Sequence, residues 1–136
     1  MERHNEIGTK WDLAQYRLQI AREDMEYARK LYEENRYRIA NNRAYYAIFH
    51  AISAIHALDG KSYYKHKDAI ANFNREYINK DVFSREYGRK IVKAEKIRAS
   101  SDYDDFYIAS KSVTYELILT AQELLDLIEE YIKTRR

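Results

Sequence analysis

Asn41-Asn42-Arg43-Ala44-Tyr45-Tyr46-Ala47-Ile48-Phe49-His50 reads as the start of a helix, and this stretch decides how the chain is organised. Ala44, Ile48, Ala51, Ile55 and Leu58 recur at three- and four-residue steps, the spacing of one apolar helix face. Arg43 and His50 stand seven residues apart. Seven steps of about 100° return a helix to within roughly 20° of its starting direction, so the two share a stripe spanning about 10.5 Å. Ala47 lies between them, and Ala54 and Ala57 lie beyond. The stripe is polar at two points and otherwise flat, leaving room for a second helix backbone to come close.

The segments on either side are helical in pattern too. Upstream, Trp11, Leu18, Met25 and Tyr32 repeat every seven residues with Ala14, Ala21 and Ala28 interleaved, predicting a first helix from about Thr9 to Asn35. The second helix runs from about Arg38 to Leu58 and ends at Asp59-Gly60-Lys61-Ser62, with Gly60 placed as its C-cap. A third, roughly Tyr64 to Asn79, carries His66, Ile70, Phe73 and Tyr77 on one face. A fourth, roughly Ser84 to Ala99, carries Tyr87, Ile91, Ala94 and Ile97. The acidic run Ser100-Ser101-Asp102-Tyr103-Asp104-Asp105-Phe106 reads as irregular. A fifth helix starts at Ser110 or Ser112, either of which can cap it, and faces its core with Leu117, Ala121, Leu124, Ile128 and Tyr131 or Ile132. With no strand-like alternation, the expected fold is all-α: an antiparallel bundle of about five helices with short connections, one domain over residues 1–136.

Composition narrows the function. The 136 residues include no cysteine, which excludes disulfides and thiolate chemistry, and no proline, which permits long helices. No apolar run approaches the roughly 20 residues needed to span a bilayer. Met1-Glu2-Arg3-His4-Asn5-Glu6 lacks the shape of a signal peptide, so a cytoplasmic location and no membrane partner are expected. The net charge is +2, but residues 61–98 are locally +6 and residues 99–136 are −4. A basic middle segment can attract phosphates, or can simply be a solvated helix face. Fourteen tyrosines can stack on unpaired bases, although core spacing makes packing the better reading for most.

Metal and cofactor chemistry find no support. There is no Glu-x-x-His pair, His4, His50, His56 and His66 show no zinc spacing, and no glycine-rich phosphate loop is present. What remains is the pair on the second helix. Histidine can act as a general base or acid near neutral pH. Arginine can hold a phosphate bidentately and stabilise charge on pentacoordinate phosphorus. Together Arg43 and His50 suffice for RNA cleavage by attack of a ribose 2′-hydroxyl on the adjacent phosphate, with no metal. The plainer alternative is a solvated arginine beside a packing histidine. Of the flanking tyrosines one can face the cleft and stack on a base while the other packs, and Tyr46 lies closer to the stripe. Asp102, Asp104 and Asp105 read as loop carboxylates rather than a metal cluster.

The stretch Asn42 to His50 resembles the signature of HEPN-domain proteins, an arginine followed after four to six residues by a histidine. Tyr64-Lys65-His66-Lys67-Asp68-Ala69-Ile70 with Phe73 resembles the Lys-x-His segment of a small stand-alone prokaryotic HEPN subfamily. Ala99-Ser100-Ser101-Asp102-Tyr103-Asp104-Asp105-Phe106 resembles the Ala-Asp-Tyr-Asp region before that subfamily's last helix. The resemblance implies a helical bundle that dimerises and, in active members, cleaves RNA in a cleft shared by two subunits. It also implies a toxin paired with a nucleotidyltransferase-like antitoxin. Carried over, Arg43 stabilises the phosphate and His50 is the acid/base, each Arg43 approaching the partner copy's His50 across antiparallel helices. Asn42, Tyr46 and His66 then line the cleft or bind RNA. Two positions depart from the pattern: Ala44 follows the arginine where a polar residue is common, and Ile52 stands where a tyrosine is common. The alternative is a non-catalytic HEPN interaction module that binds a nucleotide, an RNA or a nucleotidyltransferase partner.

Overall fold

The computed structural model describes residues 2–135, with side chains from residue 9 to residue 135, so the ends of the expected 1–136 domain lie outside it. Five α-helices pack as a bundle: α1 (Glu2–Glu33), α2 (Tyr37–Leu58), α3 (His66–Phe73), α4 (Glu86–Tyr103) and α5 (Lys111–Lys133). No strand occurs among the described residues. The centre is α2, which packs against each of the other four helices.

The α1–α2 hairpin is built on small residues. Ala14, Ala21 and Ala28 of α1 and Ala44, Ala47, Ala51 and Ala54 of α2 are all fully buried. Leu18, Met25, Ile48, Ile52 and Ile55 fill the space around them, each such side chain contributing about 1.5–3 kcal/mol on burial. The stripe expected to admit a second copy's helix is therefore occupied within the chain: Ala47, Ala54 and Ala57 are 0–3% exposed. The two alanine series meet each other.

Local signals set the helix ends. Asn35 adopts the left-handed region at φ 63° after α1, and Arg36 N–H reaches back to Leu31 C=O at 2.8 Å. Gly60 does the same after α2 at φ 75°, with Lys61 N–H donating to His56 C=O at 2.8 Å, so the expected C-cap holds. Ser110 is the N-cap of α5, its Oγ accepting from Val113 N–H at 3.1 Å, which decides between the two serines.

Two segments differ from expectation. The third helix is α-helical only to Phe73 and continues as a π-helical turn over Asn74–Ile78, closed by Asn79 N–H to Asn74 C=O at 2.7 Å. The wider turn lets two consecutive residues, Tyr77 and Ile78, both enter the core. The acidic run is not irregular at its start, because α4 extends to Tyr103. Ser101 is buried and its Oγ accepts from Asn41 Nδ2 at 3.1 Å, while Asp102 pairs with Arg98 one turn back at 3.5 Å. These contacts outweigh the weak helical propensity of the serines.

Candidate functional site

Arg43 and His50 do lie on one stripe of α2, and α1 supplies what joins them. Asp24, only 5% exposed, accepts from Arg43 Nη1 at 3.0 Å with one carboxylate oxygen and meets His50 Nδ1 at 2.8 Å with the other. One buried carboxylate thus holds both groups in a single chain, without the partner copy's histidine that the sequence reading called on. The guanidinium and the imidazole remain about one-third exposed, at 34% and 28% of their side chains. An ionised carboxylate can only accept, so His50 Nδ1 donates to Asp24, and in the neutral ring Nε2 is the nitrogen with the lone pair. Asp24 has a signal in the sequence: a carboxylate beside Met25 and between Ala21 and Ala28, on the seam of an apolar helix face.

Asn42 continues the network from Arg43 to α4. Its Oδ1 accepts from Arg43 Nε at 3.0 Å, and its Nδ2 donates to both Asp102 oxygens at 2.9 and 3.1 Å. Asp102 is therefore a positioning carboxylate at the end of α4. Asp104 instead caps its own turn by accepting from Phe106 N–H at 3.0 Å. Arg38 fastens the same corner by donating to the carbonyls of Ser101, Asp104 and Tyr107.

The two flanking tyrosines divide as their positions allow. Tyr45 is 1% exposed and packs, and burial pushes its phenol up to about 12. Tyr46 is half-buried and faces the cleft, with Arg43 5.1 Å and Arg98 5.7 Å from its ring centre. His50 and His66 stand beside the same ring at 6.0 and 5.5 Å. Arg98, which the sequence reading did not single out, also lies over Tyr45 and Tyr103 and donates to the Tyr103 hydroxyl at 3.2 Å. Its Nε is shut from solvent with no hydrogen-bond partner.

His66, at the first position of α3, joins this group. Its ring packs on Phe49 at 3.9 Å and its Nδ1 meets the Tyr45 hydroxyl at 3.2 Å. Burial, then the positive Arg98 and then His50 hold its pKa below the ordinary histidine value. All five residues expected at the site, Asn42, Arg43, Tyr46, His50 and His66, are thus brought together. Next to His50 a cavity of about 280 Å³ opens between α1, α2 and the start of α3, lined among others by Arg17, Phe49, Ser53 and Tyr63. Arg17 is fixed there by a 2.9 Å hydrogen bond to Ser53 C=O.

Among the described residues no cluster of histidines and carboxylates is arranged to hold a metal ion, and no helix is long and apolar enough to cross a membrane. Comparison with known proteins gives this arrangement a family. The HEPN domain profile matches residues 14–131. A "UPF0332 protein" of Thermotoga maritima is 31% identical over 127 residues, 93% of this chain and 96% of that one. The protein named "Putative toxin MJ0605" of Methanocaldococcus jannaschii is 31% identical over 116 residues, 85% of this chain and 86% of its own length. A further "UPF0332 protein" of Pyrococcus horikoshii is 25% identical over 111 residues, covering 82% and 72%. The matched span holds Asp24, Arg43, His50, His66 and Arg98 together, and on that footing the chain belongs to the HEPN domain family.

Proposed function

We propose that this HEPN protein is a toxin-like, metal-independent endoribonuclease. The observation that carries the reading is the shared carboxylate: Asp24 fixes Arg43 and His50 side by side at the rim of a cleft. The residues suit the transesterification of RNA. His50 Nε2 takes the proton of a ribose 2′-hydroxyl, the 2′-oxygen forms a bond to phosphorus, and the bond from phosphorus to the 5′-oxygen breaks. Solvent protonates the leaving oxygen, and His50 returns its proton to solvent. Arg43 supplies the charge that the pentacoordinate phosphorus needs. Arg98 adds a second guanidinium beside Tyr46, on whose ring a base can stack.

The relative named "Putative toxin" supports the toxin role, and the family resemblance supplies the nucleotidyltransferase-like antitoxin of this reading. Homodimer formation is part of the same reading, through a surface other than the Ala47–Ala54–Ala57 stripe, which the chain covers itself. One observation favours a second reading, a non-catalytic interaction module. Ala44, where a polar residue is common, is fully buried and adds nothing to the cleft.

Incubation of the purified protein with labelled single-stranded RNA in excess EDTA separates the two. Cleavage that vanishes in a correctly folded His50→Ala variant is expected. Absence of cleavage by the wild type, or equal cleavage by both, refutes the nuclease reading and leaves the binding module.

A further inference from the structure

The two cleft histidines are anchored through the same ring nitrogen to partners of opposite character. His50 Nδ1 faces a buried carboxylate at 2.8 Å, whereas His66 Nδ1 faces the Tyr45 hydroxyl at 3.2 Å. A phenol O–H is a stronger donor than an imidazole N–H, and an imidazole nitrogen is a stronger acceptor than a phenol oxygen, so the Tyr45 O–H is turned toward His66 Nδ1. A ring whose Nδ1 accepts carries its proton on Nε2. In the neutral rings His50 therefore presents a lone pair from Nε2 and His66 presents an N–H from the equivalent atom. Both rings border the same two neighbours: Phe49 at 5.8 and 3.9 Å, and Tyr46 at 6.0 and 5.5 Å.

We infer that His66 is a second catalytic residue of this cleft, an uncharged donor whose Nε2–H hydrogen-bonds a non-bridging oxygen of the phosphate attacked with the help of His50. The inference rests on the ribonuclease reading and adds a residue with a defined role to it. Positive neighbours oppose any charge on His66: Arg98 from α4, and His50 from α2 once it has taken the substrate proton. Tyr45 and Tyr46 are the other titratable groups against the ring, and burial drives the Tyr45 phenol away from ionisation. A neutral donor keeps its proton through the whole reaction. It strengthens as charge grows on the phosphoryl oxygens, and it does not compete with Arg43 for the anion before that. The proton balance of the reaction is unchanged, because only His50 gains and loses one.

Long-range nitrogen–proton NMR on the full chain at pH 7 reads both tautomers directly. The expected result is His50 protonated at Nδ1, and His66 neutral and protonated at Nε2. Titration with inorganic phosphate should then shift the His66 Nε2–H signal. Tyr45→Phe, which removes the hydroxyl that fixes Nδ1, should release the His66 tautomer while the far-ultraviolet helical signal is kept. In RNA cleavage, His66→Ala should lower kcat by about 10²-fold with little change in KM. His66→Gln, whose amide N–H can reach the same place, should recover part of that loss. A charged His66 at pH 7, the opposite tautomer, no phosphate shift, or full activity in His66→Ala overturns the inference. Absence of cleavage by the wild type instead overturns the ribonuclease reading on which it stands.

Discussion

The bundle contains two aromatic clusters with nearly the same ring spacing and opposite surroundings. In the first, Phe73, Tyr77 and Phe83 stack at 5.5–6.0 Å with Tyr131 edge-on, and the first three are at most 7% exposed. In the second, Tyr46 and Phe49 stand within 6.0 Å of two imidazoles, with two guanidiniums over the tyrosine, and all of these are only half-buried. The first cluster meets charge at its edge, where the Tyr77 hydroxyl donates to Asp59 and the Arg135 guanidinium lies over the Tyr131 ring at 4.3 Å. There burial and the neighbouring carboxylate push the phenol well above its ordinary range. The rings of the second are a scaffold on which cations are arranged. Ring geometry alone does not distinguish a core from a binding surface; the polar groups between the rings do.

The largest expected effect comes from emptying the dry cluster. Phe73→Ala should cost about 3–5 kcal/mol of stability, read by denaturant unfolding, because a fully buried ring leaves a cavity among rigid neighbours. A much smaller loss would mean that this cluster is as tolerant as the cleft. Asp24→Asn comes next. Losing the carboxylate that pairs with Arg43 and His50 should cost about 1–3 kcal/mol, less than a fully buried pair would, because both partners are one-third exposed. RNA cleavage in the same variant should fall further than stability does, by about 10²-fold or more, since His50 loses the acceptor that fixes its tautomer.

The smallest effect concerns a third imidazole, which is buried. His56, 2% exposed, uses Nε2 to donate to Ala69 C=O at 2.8 Å, and burial lowers its pKa below the ordinary 6.5. The unfolded chain binds a proton more readily than the folded one, so this contribution is complete above about pH 6.5 and is lost as pH falls through the depressed value. His66 carries the same sign. Thermal unfolding followed from pH 7.5 to about 5.5 should show falling stability, with a flatter slope in His56→Gln. One group changes the slope by at most about 1.4 kcal/mol per pH unit. An unchanged slope would show that His56 is not held neutral.

Much of this was legible in the residues. The heptad of Trp11, Leu18, Met25 and Tyr32 gave α1, and the Arg43–His50 spacing put both groups on one stripe. The alanines of α2 correctly announced a close helix neighbour, but its identity was misread. Ala14, Ala21 and Ala28 are buried on the preceding helix of the same chain, and an intramolecular partner needs no association entropy. Asp24 and Arg98 escaped notice because a side chain that reaches a site from another helix leaves no spacing relative to the residues it joins. The extension of α4 through Ser101 had the same cause, a buried hydrogen bond to a residue sixty positions earlier. Local sequence specified the helices, and long-range polar contacts specified how their ends are finished.

The reach of that network has a consequence during synthesis. Asp24, Arg43 and His50 emerge from a ribosome well before Arg98, Ser101 and Asp102. Until α4 has been made, Asn41 and Asn42 lack their partners on that helix, and Tyr45 and Tyr46 lack the Arg98 guanidinium beside their rings. A nascent chain therefore carries the arginine and the histidine but not the assembled cleft.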